Sequence, residues 1–419
     1  MQLNGEEKTI ERDLFQAFVE AGAISKANAD DPRKSSLARC ARTDKGVHAA
    51  GNVISLKLIV EESDVLEKIN AALPPQIRVW GIQRTNNSYN CYQYCDSRWY
   101  QYLLPSYCLL PPHPKTWLGH KVPELNKEHG GETEAAAKLA DVEGFWQAVE
   151  EKEIKPILAA LDPEVKARVL EKALSGEEEE DEGEVGQSVE KKAEETTTEK
   201  GDEAGKIAEE NSAEGEKTGQ VVLETVQPKR RELTAVDYAL RDIKAAYISA
   251  KKRYRITPER LQRLQSVLTE YEGTHNFHNY TVQKSFTDAS ANRHIKSFLV
   301  DPKPIVIGNT EWLSLKVHGQ SFMMHQIRKM VGLAALMVRC GTDVARVAES
   351  YERTKMAIPK APGLGLLLER PVFGNYNRRA TESLGREEID FDKFEETMEK
   401  FKQEQIYSRI FEVEEKDNT

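Results

Sequence analysis

Arg39-Cys40-Ala41-Arg42-Thr43-Asp44-Lys45-Gly46-Val47-His48-Ala49-Ala50-Gly51 is the stretch on which the reading of this chain turns. Four polar side chains, Arg42 to Lys45, lie just ahead of Gly46. An apolar alternating run, Asn52 to Leu58, follows and reads as a strand. Polar loops carried by rigid strands are where binding and catalytic groups concentrate. The same residues could also form an ordinary turn, with Asp44 bonded to nearby backbone N–H groups. Around this stretch, Ile10 to Ala21 is patterned as an amphipathic helix, Ser63 to Ala72 as a helix stopped by Pro74 and Pro75, and Ile77 to Ile82 as a strand.

Further along, Arg98-Trp99-Tyr100-Gln101-Tyr102 follows Tyr89, Tyr92 and Tyr94. Alternating aromatics suit a strand with one face in the core, and aromatics beside arginine also suit stacking on an extruded base. Leu110 to His120 is Pro-rich and turn-like, and Val142 to Leu174 has helical periodicity. Helices are expected at Ala235–Ser249, at Pro258–Leu268 with Thr257 as N-cap, and at Phe322–Cys340. Ile295–Val300 and Trp312–Val317 read as neighbouring strands. A last helix, Phe391–Ile410, carries an apolar stripe that docks on the outside. Both halves are α plus β, so the fold class is α/β (α+β).

The chain has 419 residues and a net charge of −10, concentrated in one block. Between Ser175 and Gln220 there are 17 acidic and 5 basic residues, leaving 52 acidic and 54 basic elsewhere. Gly176 to Gln220 contains no aromatic residue and cannot bury enough apolar surface to offset the entropy of ordering, so a disordered insert is expected. Pro228 to Arg263 has the opposite balance, 11 Lys/Arg against 4 Asp/Glu, including Lys251, Lys252 and Arg253. Such a cluster is either a solvated helix face or a contact for a phosphate backbone. Five cysteines at irregular spacing form neither a disulfide framework nor a metal-ligand pattern, and no signal peptide precedes them, which fits a reducing compartment. No apolar run approaches the ~18 residues of a membrane span.

The second candidate for chemistry is Phe322-Met323-Met324-His325-Gln326-Ile327-Arg328-Lys329-Met330-Val331-Gly332. On a helix, Arg328 lies one turn from Met324, Val331 and Gly332, so its guanidinium starts on a largely apolar surface. It either snorkels to solvent or pairs with an anion, for which a carboxylate from another element is the usual partner. His325 has no companion at ligand spacing and is expected to hydrogen-bond rather than bind metal.

With these motifs in view, Ala41-Arg-Thr-Asp-Lys-Gly-Val-His-Ala49 resembles the TruA family of tRNA pseudouridine synthases, and its eukaryotic multisite branch in particular. The resemblance extends to Arg98-Trp-Tyr100, Gly273-Thr-His-Asn-Phe277, His325-Gln-Ile-Arg328 and Ala361-Pro-Gly-Leu-Gly-Leu366, in the family's order. It implies a pseudouridine synthase fold with two lobes, mixed sheets flanked by helices, and a cleft between them. The implied organisation is 1–110 as N-terminal catalytic lobe, 111–175 as helical appendage, 176–220 as acidic insert, 221–380 as C-terminal lobe and 381–419 as helical extension. The family's opening strand, with Gly and Tyr ahead of a Gln, has no counterpart before Gln2.

The resemblance also implies roles. Asp44 is the catalytic carboxylate, Tyr100 stacks on the target base and later assists proton removal, and Arg328 pairs with Asp44. Arg42 fills the space left by the flipped nucleotide, and Arg98 and His325, in matched motifs, are expected to bind the substrate; Lys251, Lys252 and Arg253 are expected, from the basic cluster and not from the resemblance, to contact the RNA backbone. Extruding a uridine costs a few kcal/mol of stacking, which an inserted side chain and an aromatic platform partly offset. Neither a nucleotide nor a redox cofactor is expected, because the rearrangement imports no bond energy and no P-loop or Rossmann glycine pattern is present. The implied partner is tRNA, with U-rich spliceosomal RNA and messenger RNA as further substrates and the nucleus as location. The rival functions are a catalytically silent RNA-binding module, and an acidic block acting as a binder of basic proteins. Asp44, Tyr100 and Arg328 together favour the enzyme, since binding alone needs no such trio.

Overall fold

Residues 8–175 and 233–417 are described by the computed structural model. Among them, nine strands alternate with helices: β1 (Ala38–Arg39), β2 (His48–Ala49), β3 (Ile54–Ser55), β4 (Ser97–Pro105), β5 (Gly273–Asn276), β6 (Asn292–Val300), β7 (Ile305–Ile307), β8 (Thr310–Gly319) and β9 (Leu366–Val372). Seven of these form one mixed sheet in the order β2-β9-β4-β8-β6-β5, with β7 also on β8. β2 runs parallel to β9, and the other pairs are antiparallel. Ile295–Val300 and Trp312–Val317 are therefore the neighbours that their alternation suggests.

β4 is central, flanked by β8 and β9, and nearly every residue of it is buried. The two-residue period of a strand sorts its side chains. Tyr100, Tyr102 and Leu104 join the main core with Leu313, Leu315 and Val317 of β8 and two helices, Pro258–Thr269 and Gln326–Cys340. Leu103 faces the other way, with Trp312 and Leu367, onto Met398, Ile406, Tyr407 and Ile410 of the C-terminal helical segment. Helices thus cover both sheet faces, and the strands come from both ends of the chain.

Arg260, on the Pro258–Thr269 helix, is wholly buried in this unit. Its Nε and Nη2 each donate to Asp141 at 2.9 Å, and Nη1 donates to the Leu109 carbonyl at 2.7 Å. Thr257 donates to the same carboxylate at 2.8 Å. Partial burial raises the Asp141 carboxyl, but these bonds outweigh it and hold the group below the usual carboxylate range.

A separate cluster is built on the N-terminal helix Ile10–Glu20, whose Leu14, Phe15, Ala17 and Phe18 pack against Val65, Ile69 and Leu73. Here the strand pattern overreaches. Of Asn52–Leu58 only Ile54–Ser55 pairs in a ladder, and Ile77–Ile82 forms no strand. The backbone groups go elsewhere: Lys57 N donates to Ser35 O, Ile59 N to Ala23 O, and the Asn70 side chain bonds both the N–H and the carbonyl of Val79 at 2.8 and 2.9 Å. The alternation survives as apolar contact, with Ile77 and Val79 against the cluster.

Two helical expectations also need correction. Within the Pro-rich 110–120 region, expected as turns, a helix, Trp117–Glu128, begins after Pro114 and continues through Pro123, its start capped by the Thr116 hydroxyl, which accepts from Gly119 N at 3.1 Å. Phe391–Ile410 is not one helix. A 3-10 turn at Asp392–Phe394, an α-helix Glu395–Phe401, a π-helical turn Lys402–Tyr407 and an α-helix Ser408–Asp417 succeed one another.

By compactness Met1–Ala148 with Ile248–Thr419 forms one unit and Val149–Tyr247 another. In the second, Val169, Val236 and Ala239 cluster with Leu158, Leu161 and Val165, and Tyr247 donates to Glu150 at 2.7 Å. The acidic insert 176–220 and the basic residues Lys229, Arg230 and Arg231 lie outside the described residues. No helix among the described residues is long and apolar enough to cross a membrane.

Candidate active site

The Arg42–Lys45 loop is fastened at both ends. At its entry Cys40 N donates to Val53 O at 2.8 Å, and the Asn52 side chain reaches the Ala41 carbonyl at 3.0 Å. At its exit β2 pairs with β9, and Ala50 N donates to Leu368 O. Between them Val47 N donates to the Asp44 carbonyl at 3.1 Å, closing a turn whose left-handed residue is Gly46 with φ +79°. The turn is thus closed by the Asp44 backbone, and among the described residues its carboxylate takes no backbone hydrogen bond. That carboxylate is 38% exposed.

Asp44 opens into a cavity of about 720 Å³ that also reaches Arg42, Arg98, Tyr100, His325 and Arg328. That volume falls in the ~300–1,000 Å³ range of pockets for drug-sized ligands, a class that a nucleoside fits. Six of the nine residues singled out in the sequence are thereby gathered around one space. Lys251, Lys252 and Arg253 are not. They close the helix Ala235–Lys252 and the residue beyond it, with Lys252 donating to the Glu415 carbonyl at 3.4 Å and Arg253 to Ser249 at 2.5 Å.

The pairing expected of Asp44 takes a different form. His325, not Arg328, provides its near basic contact, with Nε2 3.8 Å from Oδ2. Arg328 is buried, and its Nε donates to the Ala361 carbonyl at 2.7 Å; no ion pair joins it to Asp44 among the described residues. The guanidinium still lies close by, since a side chain on Gly363 would meet Arg328 Nη1 at 3.5 Å and the Lys45 carbonyl at 3.4 Å. Ala361 N returns a bond to Arg328 O, and Tyr102 donates to Pro362 O at 2.9 Å, so the Ala361–Leu366 element is latched to the helix and to β4. Gly332 permits this approach: a Cβ there would lie 2.3 Å from Pro359 O.

Arg98 is also more committed than its motif implies. Nη2 donates to Cys40 O at 3.0 Å and Nη1 to Gln320 O at 3.1 Å, so it braces the entry to the Asp44 loop from the central strand. Tyr100 is 8% exposed and meets Phe322 edge-on, with ring centroids 5.2 Å apart. Burial, the largest cause, pushes its phenol up, so at neutral pH the hydroxyl is protonated.

Two features were invisible in the sequence. His325 stands at the N-terminus of its helix with φ +65°, a left-handed conformation that costs a non-glycine residue ~1–3 kcal/mol and is found mostly where function demands it. Gln326, wholly buried, accepts from Met323 N at 2.9 Å and fixes the turn that makes this conformation necessary. Its place beside His325 was the only signal. Among the described residues no group of three or more His, Cys, Asp or Glu could hold a metal ion.

A mixed sheet with helices on both faces thus carries a loop aspartate that faces a basic, aromatic-lined cavity. A family model described as tRNA pseudouridine synthase matches residues 267–374. The chain is 42% identical to tRNA pseudouridine synthase 1 of Yarrowia lipolytica, over 98% of this chain and 68% of that protein. It is also 42% identical to tRNA pseudouridine synthase 1 of Schizosaccharomyces pombe, over 98% of this chain and 77% of that one. Against the tRNA pseudouridine(27/28) synthase of Saccharomyces cerevisiae it is 33% identical, covering 98% and 90%. This chain belongs to the tRNA pseudouridine synthase family, a family of isomerases.

Proposed function

We propose that the protein isomerises uridine to pseudouridine in tRNA, with Asp44 as the catalytic carboxylate. One observation carries this reading: Asp44, His325, Arg328, Tyr100 and Arg42 share one cavity although they come from distant parts of the chain. The target uridine leaves its stack, Arg42, exposed on the loop, takes up the vacated space, and the base lies against Tyr100. The Asp44 carboxylate then acts on the ribose, as nucleophile or as base, while the N-glycosidic bond breaks. The freed uracil turns and rejoins through C5, after which the C5 proton is removed. Arg328 and His325 bring basic groups to the wall of the same cavity. Spliceosomal and messenger RNA belong to the same proposal as further substrates. Incubating uniform tRNA transcripts with the protein, then treating them with carbodiimide and reverse transcribing, should give stops at defined uridines; transcripts without stops would overturn the reading.

Tyr100 separates packing from chemistry. Tyr100→Phe keeps the core contact and the stacking face, worth ~1–3 kcal/mol per base, and loses only the hydroxyl. The variant should fold, bind tRNA as wild type and break the glycosidic bond, yet release finished pseudouridine slowly in single-turnover quench experiments. Wild-type kinetics for Phe would leave the hydroxyl without a chemical role.

A further inference from the structure

Tyr92 is the most exposed large hydrophobic side chain on the wall of the Asp44 cavity, at 66%, and neither the core nor the proposed chemistry uses it. An aromatic ring left in water needs a reason, and here the backbone is built to hold it out. Asn90 Oδ1 accepts from the N–H groups of Tyr92 and Gln93 at 3.0 and 3.3 Å, and Tyr94 N donates to the Asn90 carbonyl. Beneath this turn Tyr89 and Tyr94 stack at 5.5 Å, and both lean on Tyr376, at 4.6 and 5.6 Å. Across the cavity Met324, half exposed, offers a second apolar surface. Arg293, on β6, lies within electrostatic reach of the Tyr92 hydroxyl. Its Nη1 donates to its neighbour's carbonyl, while its Nε is buried with no partner among the described residues. A buried donor left unpaired costs ~1–3 kcal/mol unless a ligand satisfies it.

We propose that Tyr92 is a stacking platform for the nucleotide adjacent to the target uridine, and that Arg293 binds the phosphate of that nucleotide. The proposal rests on the pseudouridylation reading. A uridine drawn into the cavity pulls its neighbours out of their stack, and a rigid exposed ring at the rim replaces the lost stacking for one of them. The Arg293 guanidinium, within electrostatic reach of the ring's hydroxyl, supplies the phosphate contact that fixes strand direction.

The test uses the full chain and a tRNA whose target uridine has been mapped with the wild type. In two transcripts 2-aminopurine stands immediately 5′ or 3′ of that uridine. Wild type and Tyr92→Phe should quench one of the two probes on binding, and Tyr92→Ala should quench neither. Tyr92→Ala should raise KM for tRNA by about 5- to 150-fold, the range lost with one base–aromatic stack, with kcat at saturating tRNA held within a few-fold. Arg293→Gln should flatten the slope of log affinity against log salt by about 0.7–0.9. Equal quenching and equal KM for wild type and Tyr92→Ala, with the wild type active, would overturn the platform alone. A salt slope unchanged in Arg293→Gln would remove the arginine from it. A wild type that forms no pseudouridine would overturn the functional reading and this inference with it.

Discussion

Asp44→Asn should bind tRNA within a few-fold of wild type and form no measurable pseudouridine, with turnover down by at least the ~10²–10⁴-fold that a positioned general base alone contributes. The substitution is close to isosteric. The turn that carries residue 44 is closed by its backbone carbonyl and by Gly46, so the loop should stay in place. What changes is the charge facing His325 and Arg328 and the loss of an anionic oxygen at the ribose. Tritium release from C5-labelled uridine reads the chemistry, and filter binding reads the affinity. Turnover by the Asn variant would mean that another group performs the reaction.

The largest effect on stability should come from Asp141→Ala, far from any chemistry. Arg260 is wholly buried and gives two of its donors to this one carboxylate. Removing the anion strands a guanidinium in the core, at a cost of ~3–5 kcal/mol. Urea unfolding of the variant should show a midpoint lowered accordingly, while the double variant Asp141→Leu with Arg260→Met, which removes both charges, should recover most of the loss. The pH dependence has a definite sign. Because the folded Asp141 carboxyl sits below its unfolded value, the pair's contribution is complete above that unfolded value, near pH ~4, and fades as the pH falls through the folded one. Asp141→Asn should lose that part of the acid sensitivity. A single Ala variant as stable as wild type would show that the pair is not what holds the 257–260 helix start against the 140–142 turn.

Strands with an alternating apolar pattern were legible. β6 and β8 read from the alternation in Ile295–Val300 and Trp312–Val317, and the ring-bearing run at Arg98–Tyr102 read as a strand because both core and stacking interpretations require one. The stretch at Ile77–Ile82 misled because alternation reports which side chains are apolar and not where backbone groups bond, and Asn70 had taken those of Val79. At the site, the motifs alone left Asp44 in an ordinary turn and Arg328 open, and it was the family resemblance they carry that brought Asp44, Tyr100 and Arg328 together, as they stand in one cavity. The pairing within it was not legible. Which basic side chain meets Asp44 depends on the carbonyl of Ala361 occupying the Arg328 Nε, and on a left-handed backbone at His325. Neither leaves a mark in composition or spacing.

The parallel contact between His48–Ala49 and Leu367–Leu368 sets a schedule for biosynthesis. The ribosome delivers Asp44 early, but the strand that anchors the exit of its loop is among the last parts of the sheet to emerge, more than 300 residues later. A nascent chain stalled anywhere before Leu366 carries Asp44 on a loop without its exit anchor, and closing so long a loop is a slow, non-local step in folding. If Asp44 acts as proposed, a chain terminated upstream of that strand should form no pseudouridine even when every residue of the cavity up to Arg328 has been made.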